Sequence, residues 1–205
     1  MGLVLKNSNL NITIDSNKII GVMGDNYDSF LKSMKGNNIS YIGKIDDFYT
    51  NLVIKEINIY QKDDVIINYY LKKMELDIGF LNSKISNLSN GERSLLRYLI
   101  GFIQNKKIIV IDDGFIDLDY SWKKKIISIL RELINDNKTI IFGSCSSDLI
   151  YGLASKVLLI NSNDYYYGDC IDVFSNLDIL SQYRIKIHVY MLDYHISYDY
   201  ILYFF

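Results

Sequence analysis

The sequence has few cysteines, no strong charge of either sign and no long apolar run. Its two cysteines, Cys145 and Cys170, form no pattern of paired or clustered ligands, which argues against a disulfide scaffold and a zinc site. The formal net charge at pH 7 is −2, whereas proteins that bind nucleic acid usually carry a basic surface. Nucleic acid is therefore not expected as a partner.

Signals for membrane insertion or export are also lacking. No stretch of about 18 apolar residues occurs, so no transmembrane helix is predicted. Lys6 and Asn7 interrupt the apolar residues near the N-terminus, so no signal peptide is predicted. The segment 188–205 is dense in tyrosine and phenylalanine, but Asp193 and Asp199 interrupt it. We expect a cytoplasmic chain whose aromatic tail does not span a membrane.

The composition is otherwise that of a globular protein, with some residue types strongly over-used or under-used. Proline is absent and Ala154 is the only alanine, whereas Ile, Asn, Lys and Tyr are abundant. This pattern indicates biased codon usage, so a single Asn or Lys carries little functional weight. Hydrophobic residues make up 49% of the chain and charged residues 22%, as in ordinary globular domains. A chain of 205 residues suffices for one domain with a sizeable core.

Short apolar runs typical of strands alternate with segments of helical periodicity. Predicted strands cover 9–15, 18–23, 41–42, 108–111, 139–142 and 157–160. Predicted helices cover 29–34, 63–74, 88–104 and 122–133. Ser89 followed by Glu92 predicts a capping box at the start of the third helix. The alternation predicts an α/β fold with a mainly parallel sheet flanked by helices.

Two motifs carry chemistry. Residues 88–92 (LSNGE) place a turn at a helix start, where backbone N–H groups and the helix dipole favour a phosphate. Residues 108–113 (IIVIDD) place two carboxylates after a strand that is apolar throughout. A carboxylate there can hold Mg²⁺ beside a phosphate, and a neighbouring acid can orient an attacking water.

These motifs resemble the signature (LSGGQ) and the Walker B strand of ABC transporter ATP-binding subunits. Leu88 and Asp112 are 112 − 88 = 24 residues apart, as in that family. The run 112–119 resembles the family's DEPTSALD, which places Asp119 at the D-loop aspartate. Residues 139–142 resemble the strand before the switch histidine. The resemblance covers roughly residues 5 to 180.

The resemblance implies a P-loop NTPase fold of the ABC ATPase type. We expect a nucleotide-binding domain over 1–187, a reduced helical subdomain at about 45–87, a truncated antiparallel subdomain, and a separate tail over 188–205. The signature residues would contact a nucleotide held by another subunit; they are Ser89, Asn90, Gly91 and Glu92. Asp112 would be the Mg²⁺ ligand, and Asp113 would replace the catalytic glutamate.

The Walker A region departs from the family. The family usually reads GPNGSGKSTLLK, and residues 21–32 (GVMGDNYDSFLK) lack three residues of that loop, including the lysine. Gly21, Gly24 and Ser29 would be what remains of it. Asp25 and Asp28 put negative charge where phosphates would lie, at a cost of about 1 kcal/mol or more each. Lys32 is expected to sit a turn too late to replace the missing lysine.

Two further family positions are altered. Lys44 stands in place of the Q-loop glutamine, and Cys145 stands at the position of the switch histidine, 33 residues after Asp112 (112 + 33 = 145). A cysteine cannot replace the histidine, and we expect Cys145 to be a small buried residue. Residues 48–57 and 167–180 resemble segments of energy-coupling-factor (ECF) transporter ATPases, which favours the vitamin- and metal-importing branch.

The sequence therefore supports a degenerate ABC subunit. The first hypothesis is a heterodimer with an intact ABC ATPase that holds most of the ATP and Mg²⁺, docked to a transmembrane coupling protein on the inner face of the membrane. ECF-type import of a micronutrient is the expected process. The alternative is a catalytically dead pseudo-ATPase that serves as an interaction or regulatory module. Whether the chain itself hydrolyses ATP stays open, although the altered Walker A, Q-loop and switch positions disfavour it.

Overall fold

A computed structural model describes residues 2–7, 10–34, 36–43, 48–162 and 164–187. Eight strands lie in this part of the chain: β1 (Gly2–Asn7), β2 (Leu10–Asp15), β3 (Ile19–Gly24), β4 (Ile39–Ile42), β5 (Ile108–Asp112), β6 (Thr139–Gly143), β7 (Lys156–Ile160) and β8 (Tyr165–Asp169). The Q-loop position Lys44 and the tail 188–205 lie outside the described residues.

Eight α-helices occur in the same described ranges: α1 (Tyr27–Ser33), α2 (Val53–Tyr60), α3 (Asp64–Lys73), α4 (Asn90–Ile103), α5 (Tyr120–Asn135), α6 (Ser147–Leu153), α7 (Cys170–Phe174) and α8 (Leu177–Gln182). Two short 3₁₀ helices, Ile78–Asn82 and Ile85–Asn87, lead into α4. None of the described helices is long and apolar enough to cross a bilayer.

Six of these strands form one sheet in the order β4-β5-β6-β3-β7-β8. The first five run parallel and β8 pairs antiparallel with β7. The central strands are apolar on both faces because helices cover both sides, and two buried hydrophobic clusters lie around the sheet. Parallel strands bring their carboxyl ends to one edge, which is where ligands bind in such sheets. The predicted parallel α/β fold is confirmed.

Elements with a strong local signal lie within a few residues of their predicted positions. The apolar run at β5 is one example, and the capping box of Ser89 and Glu92 at the start of α4 is another. The segments β1, α2, α6, β8, α7 and α8 were not predicted. Helix α6 has only 7 residues and β8 exposes much of its surface, so neither shows enough apolar periodicity to be recognised. Strand β1 pairs with β2 in an antiparallel hairpin.

Candidate functional site

A cleft of about 390 Å³ lies at the carboxyl end of β5, between α1 and α4. Asp112, the last residue of β5, and the adjacent Asp113 both line it. Arg97 and Tyr98 of α4 line it as well, as does Lys32 of α1. The sheet topology therefore brings the predicted acid pair to the edge where a ligand site is expected.

Asp112 is buried and is hydrogen-bonded to a tyrosine. Its side chain is only 7% exposed, and the Tyr41 hydroxyl donates to Asp112 Oδ2 at 2.6 Å. Burial raises the pKa of Asp112 above its usual range, although the bond from Tyr41 acts in the opposite direction. The same burial and the bond to Asp112 raise the pKa of the Tyr41 hydroxyl, so Tyr41 stays a proton donor.

Asp113 has its own tyrosine partner. The Tyr27 hydroxyl donates to Asp113 Oδ2 at 2.8 Å, and burial followed by this bond raises the pKa of Tyr27. The Tyr27 ring packs over the end of β6, since a Cβ on Gly143 would lie 2.9 Å from one ring carbon. Each carboxylate of the acid pair therefore accepts a hydrogen bond from a tyrosine of a different element.

The loop between β3 and α1 is very short, with only Asp25 and Asn26 separating the two elements. Asn26 adopts a left-handed conformation with φ of 59° and makes no side-chain cap. Gly24 has φ of +108°, and a Cβ there would collide with the carbonyl oxygen of Ile160, so the turn requires glycine. Gly21 lies inside β3, where a Cβ would collide with the side chain of Ile150.

The helix that follows, α1, places one acidic and one basic side chain at the cleft. Ser29 is exposed on α1, whereas Asp28 and Lys32 line the cleft and pair with each other at 3.3 Å. Lys32 thus reaches the wall of the cleft, where its positive charge has a minor effect that opposes the raised pKa of Asp112. The helical rise of 1.5 Å per residue and the length of the lysine side chain explain this reach. That Lys32 sits a turn too late to replace the missing lysine stays a prediction.

These residues do not fit a magnesium–triphosphate group. A P-loop wraps the phosphates with backbone N–H groups and a lysine, whereas here two residues join β3 to α1 and Asp28 faces the cleft. Asp112, which would hold the metal, already accepts the Tyr41 hydroxyl, and the adjacent Asp113 accepts the Tyr27 hydroxyl. Across the described ranges, no group of three or more His, Cys, Asp or Glu side chains is placed to hold a metal ion.

The signature segment is exposed and preorganised. Glu92 accepts hydrogen bonds from the Ser89 backbone N–H and from the Ser89 hydroxyl, both at 2.8 Å. The Glu92 N–H donates to Ser89 Oγ at 3.2 Å. The bonds from Ser89 lower the pKa of Glu92, so the helix begins with a carboxylate. Asn90 is exposed and Gly91 half-exposed at this helix start.

The signature turn adjoins the loop after β5. A Cβ on Gly91 would lie 3.2 Å from the carbonyl oxygen of Asp117, and the Ser94 hydroxyl lies 3.5 Å from the Asp117 carboxylate. Asp119 is exposed and caps α5 by accepting a bond from the Trp122 N–H at 2.9 Å. The turn at 88–92 therefore lies against the loop that leads to Asp119.

The switch position differs from the expectation. Cys145 was expected to be a buried small residue, but it is exposed, and Cys170 is the buried cysteine. Cys145 follows β6 in the bend that leads to α6, where the chain leaves the covered sheet. Sequence reasoning also missed the roles of Tyr27 and Tyr41, for which no motif or spacing gave a signal.

No family model matches the sequence, but individual proteins do. The chain is 29% identical over 108 residues to an uncharacterized ABC transporter ATP-binding protein of Methanocaldococcus jannaschii, covering 52% of this chain and 41% of that protein. It is 21% identical over 103 residues to the molybdate import ATP-binding protein MolC of Haemophilus influenzae, covering 50% of this chain and 41% of MolC. It is 34% identical over 83 residues to the teichoic acids export ATP-binding protein TagH of Listeria innocua, covering 40% of this chain and 25% of TagH. The matches span less than half the length of these relatives.

Solved structures agree on the fold. A metal-chelate-type ABC transporter in an inward-facing conformation superposes with a TM-score of 0.72 at 18% identity, covering 85% of this chain and 82% of that chain. The cbiO1 protein of Clostridium perfringens, part of the cbiONQ complex, superposes with a TM-score of 0.65 at 13% identity, covering 87% of both chains. The resemblance to ABC transporter ATP-binding subunits and the P-loop NTPase fold of the ABC ATPase type are confirmed.

Proposed function

We propose that this chain is an ABC transporter subunit that contributes its signature segment to the nucleotide site of an intact partner ATPase. The observation that carries the proposal is a contrast within one chain. The signature residues Ser89, Asn90 and Gly91 form an open helix start, whereas the chain's own acid pair is bonded to Tyr27 and Tyr41.

The start of α4 is suited to contact a phosphate of another subunit. This helix has 14 residues, and its first N–H groups and its dipole favour an anion. A Cβ at Gly91 would lie 3.2 Å from the Asp117 carbonyl oxygen, so glycine lets this turn lie close against the loop after β5. Asp119 is also exposed, and under this proposal it contacts the partner subunit across the interface.

The chain's own site contributes little to nucleotide binding under this proposal. It lacks the lysine and the loop that would surround the phosphates, and Gly21, Gly24 and Ser29 do not replace them. ATP and Mg²⁺ are then held mainly by the partner, and Asp112 and Asp113 perform no chemistry. Cys145 is equally unable to act as the switch histidine, because a thiol is a weak donor.

Transport is the process that the relatives suggest. They include a molybdate import protein and a component of the cbiONQ complex, which supports import of a metal or another micronutrient by an ECF-type transporter. The segment 45–87 would dock a transmembrane coupling protein and hold the chain at the inner face of the membrane. Lys44, at the altered Q-loop position, directly precedes this segment in the sequence.

The decisive experiment is to purify the chain from native membranes and identify what accompanies it. An ABC ATPase with an intact Walker A lysine should copurify, and the purified pair should hydrolyse ATP while this chain alone does not. Hydrolysis by this chain alone would contradict the proposal. If the pair assembles and its ATP turnover is unchanged by the Gly91→Asp substitution, the result would support the alternative, a catalytically dead interaction module.

A further inference from the structure

We infer that Tyr27 and Tyr41 replace a bound cation at the acid pair, so that this site is closed by the chain itself and the fold does not depend on nucleotide or Mg²⁺. The inference concerns this chain alone. It holds or fails independently of any partner and of the signature segment.

The negative charge of the acid pair needs a compensating partner. Asp112 and Asp113 are adjacent, and Asp112 is only 7% exposed. A buried carboxylate without a partner is costly, and in nucleotide-binding sites a divalent cation commonly supplies the compensation. Here two neutral hydroxyls bond directly to the acids, at 2.6 Å from Tyr41 and 2.8 Å from Tyr27, and the charge of Lys32 on the cleft wall adds to them.

The tyrosines also take up the space around the acids. Tyr27 is the first residue of α1, and its ring lies against Gly143 at the end of β6. Tyr41 approaches from β4, the strand that pairs with β5. The hydroxyls thus come from the helix start that would otherwise face a phosphate and from the neighbouring strand.

Both hydrogen bonds join elements that are far apart in sequence. Tyr27 and Asp113 are 86 residues apart, and Tyr41 and Asp112 are 71 apart. The bonds therefore tie α1 and β4 to the end of β5, and they should contribute to global stability. Hydrogen bonds to charged groups stabilise more than neutral ones.

Thermal unfolding of the full chain tests this inference. The substitutions Tyr27→Phe and Tyr41→Phe remove only the hydroxyls and keep the rings. Each should lower the melting temperature on the order of 5 °C, and the double variant more. Tyr49→Phe is the matched control, since Tyr49 is 82% exposed, and it should melt like the parent protein.

The second measurement is on the parent protein in millimolar Mg²⁺, with and without ATP. A ligand that binds the folded state raises its melting temperature, so we expect no shift in either condition. The inference stands only if the parent is unaffected and the double variant is destabilised. A rise of several degrees with Mg²⁺ or Mg-ATP, or a double variant that melts like the Tyr49→Phe control, overturns it.

Discussion

Gly91 lies so close to Asp117 that a Cβ at Gly91 would stand 3.2 Å from the main-chain carbonyl oxygen of Asp117. This contact joins the start of α4 to the loop between β5 and α5. The loop ends at Asp119, whose side chain caps α5. A side chain at position 91 would therefore press on the loop that leads to Asp119.

Gly91→Asp should lower ATP turnover of the complex with the partner ATPase by roughly a hundred- to thousandfold. The new side chain adds bulk against Asp117 and a negative charge where a phosphate would approach. Gly36→Asp is the control, because Gly36 is exposed and a Cβ there meets only the Ile39 side chain at 3.6 Å. Gel filtration checks that each complex still assembles. Unchanged turnover with Gly91→Asp would reduce the signature to a capped helix start.

Glu92→Gln should raise turnover of the same complex, roughly fivefold. The substitution removes a carboxylate near the partner's phosphate, and about 1 kcal/mol of repulsion at an effective dielectric near 20 corresponds to that factor. Glutamine can keep the capping box with Ser89, so α4 should stay intact by circular dichroism. The control Glu132→Gln removes the same charge elsewhere and should leave the ATP turnover unchanged. A drop in turnover with Glu92→Gln would show that the carboxylate is needed.

Asp112→Asn should leave turnover of the complex within about threefold of the parent. The chain's own site performs no chemistry under the proposed function, and asparagine can still accept the Tyr41 hydroxyl. The corresponding aspartate of the partner ATPase provides the contrast, since its replacement should abolish hydrolysis. A hundredfold loss with Asp112→Asn in this chain would reveal a working Walker B site here.

The two cysteines should differ sharply in reactivity toward a thiol reagent at pH 8. Cys145 is exposed, whereas burial, with a smaller effect from Asp169, raises the pKa of Cys170 to about 12. A raised pKa means that almost no reactive thiolate of Cys170 exists at pH 8. One thiol should therefore react quickly, and the second only after unfolding. The variants Cys145→Ser and Cys170→Ser show which thiol gives the fast reaction and which the slow one. Two thiols that react equally fast would contradict the described burial.

The alternation of strands and helices, the capping box at Ser89 and the acid pair at the end of β5 followed from the sequence by itself. These features have a local physical cause. A helix start needs a hydroxyl and a carboxylate three residues apart, and a covered strand needs consecutive apolar residues. The departure of residues 21–32 from the Walker A pattern was visible for the same reason, because that motif is contiguous.

Only the tertiary structure showed that Tyr27 and Tyr41 bond to the acid pair, that Lys32 reaches the cleft and that Cys145 is exposed. The tyrosines meet their partners across 86 and 71 residues, and no spacing along the chain encodes such a meeting. It depends on strand order, because β4 pairs with β5 and α1 packs against β5. Side-chain partners at a sheet edge are decided by which strands become neighbours, and that is a property of the folded chain.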